Sequence, residues 1–307
     1  MLITNPTHYG LIEQPWWGIL IAFYLFTGGL GSMAFCVSFL YWLRGAKSGF
    51  VKAGSVVGIV TVLVGILALV LDLGHPERFY LVFLSPNLNV RSWIFIGSTF
   101  LSTFTLFAVL FVAPQLKWFG WLKFGKKTLK TFGWIAFAFG IGVSAYTGIL
   151  IGIVFNVPFW NAPALPIIFM ISALSTGLAM LILVGLALRD VEVYGITHQL
   201  AKYDGFVMIF ELIALAIYLL IRSYGPVGAI ESVKTILTGY LAPYFVGGVL
   251  LMGLAIPIML VFGYEVRREG RGCICVTILS AVFVLIGGAM LRYVILKAGF
   301  LQIPCCP

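Results

Sequence analysis

Charge is the scarcest property of this chain. Asp, Glu, Lys and Arg make up 9% of 307 residues against 62% for the hydrophobic types, and mean hydropathy is +1.11. Soluble domains are roughly half apolar and a quarter charged, so these figures exclude one. Long polar stretches are missing as well: none exceeds the length of a connecting loop, which leaves a single membrane domain over 1–307. Histidine is nearly absent. His8 lies near the N-terminus, His75 at a helix end and His198 in a loop, whereas haem b held inside a membrane ordinarily needs paired intramembrane histidines, so no haem ligation within this chain is expected. The five cysteines, Cys36, Cys273, Cys275, Cys305 and Cys306, have no cluster or zinc spacing, and no metal site or iron–sulfur cluster is expected. The first residues lack the basic start and small-residue cleavage site of a signal peptide, so the first span is expected to act as its own insertion signal.

What remains is helix. A hydrocarbon core about 30 Å thick takes about 20 apolar residues per crossing, and eight such spans can be drawn, at 16–43, 53–73, 92–113, 131–155, 164–188, 205–222, 240–263 and 273–296. The fold class is therefore all-α, a polytopic integral membrane protein with eight transmembrane helices in two four-helix bundles. Trp16, Trp17, Trp42, Trp93, Trp118, Trp121 and Trp160 fall where interfaces are expected. The net charge of +9 sits in loops, which reads as topology and not as nucleic-acid binding. Connections after spans 1, 3, 5 and 7 carry Arg44, Lys47, Lys52, Lys117, Lys123, Lys126, Lys127, Lys130, Arg189, Lys202, Arg267, Arg268 and Arg271. The other side has only Arg78, Arg91, Arg222, Lys234 and Lys297. Basic residues stay in the cytoplasm, so in the cytoplasmic membrane both termini are expected on the outer face.

The stretch Leu71-Asp72-Leu73-Gly74-His75-Pro76-Glu77-Arg78 follows span 2 on that outer side. Gly74 permits a left-handed helix end and Pro76 cannot continue a helix, so the span should stop here with Asp72 in its last turn. Unpaired carbonyls give that end partial negative charge, and a carboxyl placed there needs a cation or a proton. Proton exchange with a small molecule at the membrane edge suits this arrangement; a capped helix end with a snorkelling Arg78 is the structural alternative.

Ionisable groups inside spans are expensive and thus informative. Asp204, Glu211, Tyr218 and Arg222 recur at seven, seven and four residues and share one face of span 6. A proton path from the cytoplasm through Asp204, Glu211 and Tyr218 is one reading. In the other, Asp204 caps the helix and Tyr218 and Arg222 anchor it, which leaves Glu211 unexplained. Arg292 in span 8 either snorkels or serves as counter-charge to Asp72. With Tyr146 of span 4, the set Asp72, His75, Arg78, Tyr146 and Arg292 forms an outer constellation able to hydrogen-bond and protonate a carbonyl-bearing ring.

Small residues mark close helix contacts: Gly140, Ser144, Gly148 and Gly152 in span 4, Gly54 and Gly58 in span 2, Gly28 and Ser32 in span 1. Phe26-Thr27-Gly28-Gly29-Leu30 is echoed by Leu174-Ser175-Thr176-Gly177-Leu178, and Tyr146 by Tyr293, at offsets just under 150 residues. These echoes suggest halves 1–160 and 161–307. The same features would serve a secondary transporter or proton channel, although no span is visibly interrupted at its midplane, Pro257 being the nearest candidate.

Thr27-Gly28-Gly29, Leu71-Asp72-Leu73-Gly74-His75-Pro76-Glu77-Arg78-Phe79, Ser92-Trp93, Tyr146-Thr147-Gly148, Trp160-Asn161, Gly287-Gly288 and Leu291-Arg292-Tyr293 together resemble the NrfD/PsrC family across all eight spans. The resemblance implies a haem-free, quinone- or quinol-binding membrane-anchor subunit of a respiratory oxidoreductase complex of the polysulfide, sulfur or tetrathionate reductase type. It implies menaquinone or a similar quinone, a four-cluster ferredoxin-like iron–sulfur subunit docked at the outer face, and a molybdopterin catalytic subunit beyond it. By resemblance, Asp72, Gly74, His75, Arg78, Tyr146 and Arg292 would serve the quinone. Some members supply Asn and His early in span 1, where this chain has Trp16, Trp17 and Leu20, so aromatic packing on the ring is expected to replace those contacts.

Overall fold

The computed structural model describes residues 3–5, 9–14, 17–46, 48–84, 89–116, 119, 121–122, 124–189, 191–265 and 274–304. His8, Trp16, Lys47, Lys117, Trp118, Lys123, Arg267, Arg268, Arg271, Cys273, Cys305 and Cys306 lie outside them. Because lipid offers no hydrogen bonds, each apolar run satisfies its backbone internally as helix. Eight helices long enough to cross a membrane result: Ile19–Leu43, Ser48–Leu71, Trp93–Val112, Lys126–Gly152, Ala164–Ala187, Val191–Ser223, Pro243–Gly263 and Ile274–Lys297, numbered spans 1 to 8.

Span 1 lies at the centre, with 78% of its most apolar window buried against 28% for span 3. It packs along span 2 and touches spans 4, 5 and 8. Small residues allow this. A side chain at Gly31 would collide with the Gly58 carbonyl, one at Gly65 with Thr27, and one at Gly177 with the backbone of Ala34. Spans 1 to 4 close one bundle and spans 5 to 8 another, joined along the contacts of span 5 with spans 1 and 4.

Several local features depart from the sequence reading. Span 2 stops at Leu71, with the Asp72 N–H still donating to the Ala68 carbonyl at 3.1 Å, and Pro76 opens a single 3₁₀ turn, Pro76–Arg78. Gly74 is not left-handed; among the described glycines only Gly45, ending span 1 at φ 76°, is. Span 6 begins fourteen residues earlier than drawn, because hydropathy reads only the embedded part of a 33-residue helix about 50 Å long. Asp204 is consequently mid-helix and is not its cap. Span 7 is wound in π form over Pro243–Ala255 and Val261–Glu265, with an α segment Ile256–Leu260 between them. Pro257, in that segment, lacks the N–H that an α-helix would use and crowds the preceding turn.

Even crossing number brings both termini to one face, where a sheet not anticipated from the sequence joins them. β1 (Ile3–Asn5), β2 (Tyr9–Glu13) and β3 (Phe300–Pro304) pair antiparallel in that order, with Leu11 opposite Gln302. Gln14 extends the tie: its backbone N–H donates to the Gly299 carbonyl at 3.0 Å and its Nε2 to the Trp17 carbonyl at 2.9 Å. Trp160, expected at an interface, is buried instead. It stacks on Trp17 at 5.2 Å and its Nε1 donates to the Ile295 carbonyl at 2.8 Å. A further helix, Val227–Leu237, links spans 6 and 7 on this face.

Spans 7 and 8 touch backbone to backbone where Gly253 meets Gly287. Gly287→Leu is expected to force them apart at a cost of about 1–3 kcal/mol. A lower melting temperature of the purified protein in detergent checks it, and an unchanged one would mean that the contact does not hold the second bundle.

Candidate functional site

The Asp72–Arg78 segment connects span 2 to a short helix, Leu81–Leu84, on the face that carries the termini. Asp72, Gly74, His75 and Arg78 are all exposed. His75 Nδ1 lies 3.1 Å from Glu77 Oε1 and Arg78 Nε lies 3.9 Å from the same oxygen, so Glu77 gathers both side chains. The Asp72 carboxyl has neither as its partner, nor Arg292.

Below this segment, the first bundle holds a cavity of about 60 Å³ lined by Tyr24, Leu69, Ile94, Gly97, Ser98, Leu101, Tyr146 and Leu150. It draws on all four spans. Leu69 stands one turn before Asp72, and exposed Ile94 marks the rim. Tyr146 is buried and its hydroxyl donates to the Trp93 carbonyl at 2.7 Å, which ties span 4 to the first residue of span 3. Gly97 lies flat on the Tyr146 ring; any side chain there would collide with it. Sequence reasoning misses Tyr24, because a lone Tyr in an apolar span looks like packing. Its hydroxyl is buried without a hydrogen-bond partner, and it lies close enough to Tyr146 to interact electrostatically.

Arg292 belongs to the other bundle. Fully buried, it donates from Nη1 to Ser172 Oγ and to the Gly288 carbonyl at 3.0 Å, and from Nη2 to the Phe169 carbonyl at 3.2 Å, with its guanidinium 5.3 Å from the Phe169 ring. It therefore neither snorkels nor reaches Asp72. Its charge acts on Glu211 through space, and Ser172, which accepts from Arg292, lies near both groups. One helical stretch away, Ser175 Oγ donates to Asp204 Oδ1 at 2.7 Å. Glu211, Ser172 and Thr176 line a cavity of about 10 Å³ against Gly253, Gly287 and Gly288, at the threshold for one water.

Tyr218 and Arg222 complete the polar face of span 6 differently. The Tyr218 hydroxyl donates to the Phe159 carbonyl at 2.6 Å, and Arg222 donates to the carbonyls of Pro158 at 3.2 Å and Asn161 at 2.7 Å. Both hold the connection between spans 4 and 5. Among the described residues, no three His, Cys, Asp or Glu side chains gather to hold a metal ion.

The architecture is that of a multi-pass helical membrane protein with one buried polar site in each bundle. Residues 4–304 match the family described as polysulphide reductase, NrfD, and the chain belongs to that family. It is 30% identical to a polysulfide reductase chain of Wolinella succinogenes, over 95% of the present sequence and 97% of that relative. Identity with the NrfD homolog of Haemophilus influenzae is 25%, over 94% and 95% respectively. With a selenate reductase subunit of Mesobacillus selenatarsenatis it is 26%, over 54% of the present sequence and 47% of the relative.

Breaking a buried charge pair leaves an uncompensated ion, whereas replacing both partners by apolar groups is nearly neutral. Arg292→Met alone is expected to destabilise the second bundle by about 3–5 kcal/mol, and Arg292→Met with Glu211→Met to recover most of the loss. Thermal denaturation of the four corners of this cycle checks the pairing; additive losses would separate the two residues.

Proposed function

We propose that this chain is the quinone- or quinol-binding membrane anchor of a respiratory reductase complex, of the polysulfide, sulfur or tetrathionate reductase type. The carrying observation is the first-bundle cavity, which has apolar walls, two phenols and an ionisable segment one turn beyond it. Two relatives are named as parts of larger reductases, one of polysulfide and one of selenate, which supports an anchor role. The lining suits a quinone: Leu69, Leu101 and Leu150 exclude water around a ring, and Ser98 and Tyr146 are hydroxyl-bearing residues of the same lining. A bound menaquinone or similar quinone would supply two-electron, two-proton chemistry. Tyr146, fixed by the Trp93 carbonyl, orients; Asp72, exposed beside the rim, exchanges protons with bulk water. His75, Glu77 and Arg78, paired at the surface, lie where a four-cluster ferredoxin-like iron–sulfur subunit would dock in series with a molybdopterin subunit.

In this reading the termini and the Asp72–Arg78 segment face outward from the cytoplasmic membrane, since thirteen Lys and Arg mark the opposite connections against five. In a background lacking its own cysteines, Lys126→Cys is expected to resist an impermeant thiol reagent in intact cells and Asn89→Cys to react. The reverse pattern would invert the topology and remove the docking face.

A second activity, proton conduction, is favoured by the buried Glu211 and Arg292 with their small cavity, and by Asp204 further along the same helix. Protons would enter at Asp204 and pass by Glu211 toward Tyr218; a channel or secondary transporter would use the same groups. With the assembled complex in vesicles, Asp72→Asn is expected to slow quinone turnover about 10²-fold with assembly intact. Glu211→Gln is expected to abolish the membrane potential, or to slow turnover if the path feeds the quinone. Wild-type turnover in Asp72→Asn removes that residue from the site, and wild-type turnover and potential in Glu211→Gln reduce it to a packing group.

A further inference from the structure

A groove of about 270 Å³ lies outside both polar sites, where the two bundles meet. Its floor is span 1, with Met33, Val37 and Leu40; one wall is Phe137 and Ile141 of span 4, and the other includes Ile171 of span 5. Close packing explains its shape. Spans 4 and 5 touch toward the face that carries the termini, where Gly148 meets the backbone of Pro166. Each also reaches span 1 through a glycine, Gly140 at Cys36 and Gly177 at Ala34, and farther from the termini a wedge stays open between them. The wall residues are half-buried and Leu40 is exposed, so the wedge opens sideways onto lipid.

No hydroxyl, amide or charged side chain lines this groove. A water molecule there would find none of the about two to four polar partners it needs, and an apolar cavity of about 150 Å³ already stays dry and takes a hydrocarbon. The groove therefore suits a hydrocarbon chain. Its depth and its open end say which kind. Met33 and Arg44 are eleven positions apart, about 16 Å along a helix, which is the depth of one leaflet of a hydrocarbon core about 30 Å thick. At about 3.6 residues per turn, Arg44 falls on the face of Met33, Val37 and Leu40, and Lys126 and Lys130 fall on that of Phe137 and Ile141. All three cations are exposed, and Arg44 is steadied over the Tyr41 ring at 5.9 Å. Among the described residues none of them has an acidic partner. An apolar groove one leaflet deep that ends at three unpaired cations matches an anionic phospholipid in both depth and charge.

We propose that the groove between spans 1, 4 and 5 holds an acyl chain of an anionic phospholipid from the leaflet on the Arg44 side, with its phosphate attracted by Arg44, Lys126 and Lys130. Spans 1 and 4 belong to the first bundle and span 5 to the second, so this lipid joins the two. The inference is independent of the quinone reading, which concerns the opposite leaflet.

The test uses the full-length protein in detergent micelles, titrated with dioleoyl phosphatidylglycerol or dioleoyl phosphatidylcholine. Bound lipid is counted by native mass spectrometry, and thermal melting is followed in parallel. The wild type is expected to hold one phosphatidylglycerol about tenfold more tightly than phosphatidylcholine, on the scale of the attraction between an anionic headgroup and Lys or Arg at a membrane surface. It should also melt at a higher temperature with the anionic lipid. Arg44→Gln, Lys126→Gln and Lys130→Gln together, all at exposed positions, should weaken phosphatidylglycerol binding about tenfold and phosphatidylcholine binding less than about twofold. The rise in melting temperature specific to the anionic lipid should vanish with them. Val37→Trp fills the groove from its floor and is expected to abolish the tight lipid although the cations remain. If that variant does not fold, Ile171→Phe narrows the groove from a half-buried wall and decides the same point. Equal affinity of the wild type for the two lipids would overturn the proposal, because the cations would then recognise no headgroup. Undiminished phosphatidylglycerol binding in the groove-filling variant would place the lipid elsewhere and overturn it as well. A last arm adds a naphthoquinone bearing an isoprenoid tail; one-for-one displacement of phosphatidylglycerol would make the occupant a quinone tail, and the proposal would fall.

Discussion

Close backbone approach along span 1 is the constraint on which the other features depend. Lipid gives helices no hydrophobic reason to associate, so contact must come from shape, and shape here means small residues placed face to face. Gly31 against Gly58, Thr27 against Gly65, Gly177 against Ala34 and Gly29 against Ala173 draw spans 2 and 5 onto span 1 from two sides. With those three helices in place, span 4 has one groove to fill. Tyr146 then arrives beside Tyr24, with Gly97 of span 3 thin enough to let its ring pass. The cavity is thus a by-product of packing at one level and a chemical site at the next.

The second bundle solves a harder problem with the same means. An acid and a guanidinium away from water need hydrogen bonds as well as each other. Ser172, Gly288 and Phe169 give Arg292 three acceptors, and Ser172 and Ser175 serve the two carboxyls of span 6. Spans 5 and 8 supply hydroxyls and carbonyls, and span 6 supplies the acids. Span 7 contributes little polarity; its wide winding and Gly253 instead let it lie against span 8 beside the charges.

Hydropathy made the number of crossings and most of their limits legible, because the bilayer imposes a length on every span. It misjudged the start of span 6, since a helix that continues into water turns amphipathic and loses its apolar signal while its hydrogen bonds go on. Glu211 was legible as a group needing a partner, from cost alone. That Arg292 lies near enough for its charge to act on Glu211 was not, because spacing within one helix says nothing about which face of a distant one it meets. The Gly74 expectation failed for a related reason: glycine permits a left-handed turn without requiring it, and Pro76 already stops the helix. Tyr24 carried no signal by residue type. Only the lack of a partner, a property of the packed structure, singles it out.

The sheet that joins the two ends of the chain gives the fold a form of parity. β3 is made of the last described residues and its partner β2 of nearly the first, so they can pair only if they stand on the same side of the bilayer. That holds after an even number of crossings and fails after an odd one. A molecule that left a single span uninserted would carry Phe300–Pro304 to the wrong face, and β2 would be left without its neighbour. Buried Trp160, stacked on Trp17 and bonded to the end of span 8, would lose its contacts in the same event. Completion of this small sheet is thus a structural record, written at the two ends of the sequence, that the crossings between them add up.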